Sequence, residues 1–63
     1  MTEVEIENVG LLKIGTRINH ADFGDGLVTA FEAGQEVTMM EVKFDSSSSK
    51  WIVPEFANIK IIT

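Results

Sequence analysis

The sequence predicts an all-β fold, a small barrel of five short strands with a single 3₁₀ turn before the last of them. Three observations lead there. Apolar and polar residues alternate in short runs, as where Met40, Val42 and Phe44 interleave with Met39, Glu41 and Lys43, which is the period-2 signature of a strand with one buried face. Turn-forming residues punctuate those runs, above all where Gly24 and Gly26 flank Asp25 at a corner that calls for positive φ. The chain has 63 residues, enough for one domain that buries about 60% of its unfolded surface, and closing short strands into a barrel hides their edges economically.

Residues 1–12 read as an acidic leader, partly flexible, although Val4, Ile6 and Val9 alternating with Glu3, Glu5 and Glu7 also fit an edge strand. The barrel is expected over 13–63, with strands at 16–20, 26–31, 37–44, 50–53 and 58–62, each of a length small barrels use. Connections at 32–36 and 45–49 have hairpin composition, the second being a solvated tip of four serines, Ser46 to Ser49. Pro54 to Ala57 is the expected 3₁₀ turn. Alternation assigns Ile18, Val28, Ala30, Met40, Val42, Phe44, Ile52, Ala57 and Ile59 to the interior. Trp51 and Val53 then fall on the face opposite Ile52, which exposes part of the only tryptophan.

Composition narrows the function. There is no cysteine, which excludes disulfides, thiolate nucleophiles and zinc ribbons. No apolar stretch reaches the length of a membrane span, and the acidic start speaks against a secretion signal, so the expected location is the cytoplasm. Net charge is −5. Arg17, Lys43, Lys50 and Lys60 are scattered among carboxylates, so unless folding gathers them on one side the long-range field repels phosphates and attracts a basic protein surface. His20 is the only histidine and is read as a strand-end residue bonding the backbone of the turn that follows, not as a general base or metal ligand. Gly24 and Gly26 are followed by neither a helix nor a Lys-Ser/Thr pair, against a phosphate loop. Asp22, Asp25 and Asp45 are turn acids by position. No catalytic apparatus, cofactor, metal or small-molecule substrate is expected.

Two blocks carry a resemblance. The pattern G-x-R-[V/I]-x-H-x-x-F-G-x-G-x-[V/I], filled by Gly15, Arg17, Ile18, His20, Phe23, Gly24, Gly26 and Val28, resembles the C-terminal Tudor-like domain of the UvrD/PcrA-type superfamily 1 DNA helicases. The run from Lys50 to Ile59 is similar to the end of that domain, so the resemblance covers residues 13 to 62. The first block alone also resembles other bacterial Tudor-like modules that touch RNA polymerase, such as the CarD-type interaction domain. The resemblance implies an SH3-like, Tudor-type barrel, with some of Leu11, Leu12 and Ile14 capping one open end. In those helicases the domain tethers the motor to RNA polymerase and is linked to transcription-coupled repair. A non-catalytic module docking on RNA polymerase or a DNA-repair partner is therefore the leading expectation.

For that role the partner-binding residues are Trp51, Arg17, Lys50, Val53 and Phe23, while Gly15, His20, Gly24 and Gly26 shape the structural turn. The alternative is a nucleic-acid-binding barrel using Arg17, Lys43, Lys50 and Trp51, since exposed aromatics and cations can hold bases and backbone. An aromatic cage for methylated side chains needs three or four converging rings. With Phe44 assigned to the core and no tyrosine present, it is not expected. Phe23 and Phe56 are read as plugs of the barrel ends, either of which could sit at a rim beside Trp51.

Overall fold

The computed structural model describes residues 1–62. All its regular structure is β: β1 (Glu3–Ile6), β2 (Gly10–Lys13), β3 (Arg17–His20), β4 (Gly24–Ala33), β5 (Thr38–Phe44), β6 (Ser49–Ile52) and β7 (Ile59–Ile61). β3 to β7 form an antiparallel sheet in the order β6-β5-β4-β3-β7, and β1 pairs with β2 in a separate hairpin. The fold class is the one the alternation predicts. Closure is not: β6 and β7 both remain sheet edges, so the expected five-stranded barrel is replaced by an open five-stranded sheet with a hairpin packed on its core.

That hairpin is the segment read as a leader. Asn8 takes a left-handed φ of 71° and Gly10 a φ of 118°, and Val9 N–H donates to the Ile6 carbonyl at 3.0 Å, which turns the chain tightly. Val4 pairs with Leu12 and Ile6 with Gly10, so one face of the hairpin is apolar. Ile6 and the fully buried Leu12 join Ile18, Val28, Met40, Val42, Phe44 and Ile59 in one core cluster. Packing thus begins at the first strand.

β4 carries an irregularity that the alternation does not show. Val28 pairs with Val42 but Ala30 pairs with Glu41, leaving Thr29 as an extra residue, a β-bulge. Thr29 Oγ1 lies 3.0 Å from Glu41 Oε1 and 3.3 Å from the Glu41 carbonyl, which ties the bulge to the neighbouring strand. Beyond it the faces swap. Phe31, opposite buried Met40, packs against the core, whereas Ala30 stands opposite Glu41 on the outer face, not in the interior where strict alternation puts it.

The corner between β3 and β4 divides its work between two glycines. Gly24 has the positive φ, 82°, and Gly15 has one of 95° just before β3. Gly26 has none, contrary to the sequence expectation. Its role is space: a Cβ there would come within 2.5 Å of Val42 Cγ1 and 2.9 Å of Phe44 Cδ1. After β6, Pro54 is fully buried and Phe56 N–H donates to the Val53 carbonyl at 3.0 Å. This single hydrogen-bonded turn stands where a 3₁₀ turn is expected. Phe56 is not a plug, being 80% exposed.

Candidate protein-interaction face

Register decides what each side of the sheet presents. Val42 pairs with Lys50 and Met40 with Ile52 on the inner side, while Glu41 pairs with Trp51 and Lys43 with Ser49 on the outer side. Period-2 geometry therefore sends the consecutive residues Lys50 and Trp51 to opposite faces. Trp51 is 45% exposed and lies on β6, an edge of the sheet. The outer face around it continues through Glu41, Ala30 and Lys43.

Lys50 belongs to a different cluster. His20 Nδ1 accepts from the backbone N–H groups of Asp22 and Phe23 at 3.0 and 3.3 Å, so this ring is bound into the corner and only 8% exposed. The Phe23 ring stacks on it with centroids 4.6 Å apart and meets Phe44 edge-on at 5.4 Å. Lys50 Nζ then sits 5.0 Å from the Phe23 centroid, an arrangement worth about 0.5–1 kcal/mol at a partly open site. Phe23 covers one end of the core, and Lys50 covers Phe23.

Arg17 is also committed. Its two terminal nitrogens donate to the Asp45 carboxylate at 2.9 and 2.6 Å, a bidentate fork joining the start of β3 to the end of β5. This hydrogen bonding, assisted by the charges of Arg17 and Lys43, holds the Asp45 carboxyl below the usual aspartate range. The same bond strengthens the guanidinium's hold on its proton. Nearby, Asn19 Nδ2 donates to Asp25 Oδ1 at 2.8 Å. Val53 is half-buried, its carbonyl holding the turn to Phe56.

The five residues expected to meet a partner are therefore not one patch. Trp51 stands on the outer face, Phe23 and Lys50 stack together at an end of the core, Arg17 is locked to Asp45, and Val53 lies in the turn. The four residues of the nucleic-acid alternative do not converge either, since Lys50 faces away from Trp51 and Arg17 spends its charge on a carboxylate. Lys43 alone shares the outer face with Trp51. The bulge at Thr29, which fixes this outer face, left no mark in the alternation.

No family model matches the chain. Over 57 residues, 90% of its length, it is 32% identical to DNA helicase II of Escherichia coli (strain K12). Over 56 residues it is 32% identical to DNA helicase II of Salmonella typhimurium (strain LT2). Its likeness is to a segment of DNA helicase II. The resemblance read from the Gly15–Val28 and Lys50–Ile59 blocks is thus borne out at the level of the helicases. The chain spans only 8% of the length of these relatives, so what it shares with DNA helicase II is one small all-β, helicase-associated domain. Among the described residues no helix is long and apolar enough to cross a membrane.

Proposed function

We propose that this chain is a non-catalytic, cytoplasmic protein-interaction module, the counterpart of the Tudor-like C-terminal domain of UvrD/PcrA-type helicases, and that it docks on RNA polymerase or a DNA-repair partner through the outer face of β5 and β6. The observation that carries this reading is Trp51, an indole on an edge strand with nearly half its surface in solvent. Interface hot spots are enriched in tryptophan because the ring is rigid and offers a large apolar area. A net charge of −5 favours encounter with a basic protein surface over a phosphate backbone. The only histidine is bonded into the corner, which supports a role without catalysis.

The experiment is capture of purified RNA polymerase on the immobilised domain, with a DNA mobility shift run on the same preparation. Retention by the parent and its loss in Trp51→Ala is the expected result. A parent that ignores polymerase but shifts DNA, with affinity falling steeply as salt rises, would reverse the reading in favour of Lys43 and Trp51 acting on nucleic acid.

A further inference from the structure

Phe56 is the most exposed large apolar side chain among the described residues. Its backbone is not loose, because the turn is pinned by the Phe56–Val53 hydrogen bond and by buried Pro54. Facing the ring across a cleft of about 230 Å³ is the tight turn of the first hairpin, so that Glu5, Ile6, Glu7 and Asn8 line one wall and Glu55 and Phe56 the other. The one ion pair among the described residues is Arg17–Asp45, so none of the three glutamates has a cationic partner among them.

We infer that this cleft takes an arginine side chain presented by an apolar segment of a partner protein. A guanidinium is planar and weakly hydrated, so it can lie against the Phe56 ring while its fork of N–H groups meets carboxylates. The volume lies below the range of about 300–1,000 Å³ usual for small-molecule sites and suits one long side chain. Three unpaired carboxylates repel phosphates and other anions, which sets nucleic acid aside. The cleft is built by the hairpin and the turn after β6, so it is separate from the outer face that carries Trp51.

The test is an amide-resolved NMR titration of the ¹⁵N-labelled chain with the capped tripeptide acetyl-Leu-Arg-Leu-amide, beside the same peptide with Glu in place of Arg. Shifts centred on residues 5–8 and 55–56, weakening as salt is added and absent with the Glu peptide, are the expected result. Phe56→Ala should weaken the Arg peptide about tenfold, the scale of a hot-spot truncation, without altering the spectrum elsewhere, since the ring contributes little to the core. Glu7→Gln should weaken it less, and Trp51→Ala should leave it unchanged. Equal binding of the Glu peptide, shifts that gather on Trp51, or a Phe56→Ala variant that binds as well as the parent would each overturn the inference.

Discussion

Gly26 lies so close to Val42 that any side chain on it would collide with the valine methyl at 2.5 Å. Both contacts are core: Val42 and Phe44 are essentially without solvent exposure. Gly26→Ala should therefore destabilise by about 1–3 kcal/mol through overpacking. Gly24 has open space around its missing Cβ but a φ of 82°, so Gly24→Val should cost about 1–3 kcal/mol through backbone strain alone, while Gly24→Asn should recover part of that. Thermal melts of the three variants separate the two causes. A Gly26→Ala protein that melts like the parent would show that the sheet is looser at this corner than its contacts indicate.

The two faces of β5 should respond unequally. Val42 is fully buried, whereas Met39 is half-buried and sits opposite Glu32 on the outer side. Val42→Ala is expected to lose about 1–3 kcal/mol, and Met39→Ala to stay within about 1 kcal/mol of the parent. Denaturant titrations give both numbers, and reversed magnitudes would place the register one residue off.

β3 to β7 are legible because short apolar runs, alternating most clearly in β5, are separated by turn residues. β1 and β2 are harder to read: Glu3, Glu5 and Glu7 make the first strand resemble a solvated tail, and its apolar face is needed only because the sheet stays open. The signal was there in Asn8 and Gly10, a turn pair between Ile6 and Leu12. The bulge had no such signal, since Thr29 is an ordinary strand residue and only the partner register reveals the extra position. Trp51 is placed correctly from parity, but the pairing of Arg17 with Asp45 spans 28 residues and no local pattern announces it. Leu12→Ala accordingly tests the hairpin. It should cost about 2–5 kcal/mol, as for a fully buried leucine, whereas a leader would tolerate the change, and a denaturant titration distinguishes the two.

The Arg17–Asp45 fork predicts an acid-side dependence. Because the Asp45 carboxyl is held below its ordinary range, its folded form binds a proton less readily than the unfolded chain does. The resulting stabilisation is fully present above the ordinary aspartate pKa and is lost as pH falls through the lower folded value. The Asp45 carboxyl carbon, followed by NMR from neutral to strongly acidic pH, should titrate below a typical aspartate. In Arg17→Leu its midpoint should move upward. An unchanged midpoint would mean that the fork does not persist in solution. The contribution to stability is small in either case, since both groups are open to solvent.

Trp51 and Lys50 are neighbours in sequence but face opposite ways, and that separation supplies the decisive comparison for docking. Trp51 lies on the face opposite the buried side chains of β5 and is 45% exposed, so Trp51→Ala should keep the circular dichroism spectrum and the melting temperature near those of the parent. Capture of RNA polymerase should nevertheless fall by about tenfold or more, as for a hot-spot aromatic. Lys50→Ala removes the cation over Phe23 and should lower the melting temperature slightly while leaving capture close to the parent's. Arg17→Ala should behave similarly, through loss of the Asp45 fork. Equal losses of capture from Trp51→Ala and Lys50→Ala would move the binding surface to the rim around Phe23, and unfolding of Trp51→Ala would show that the indole contributes to the core.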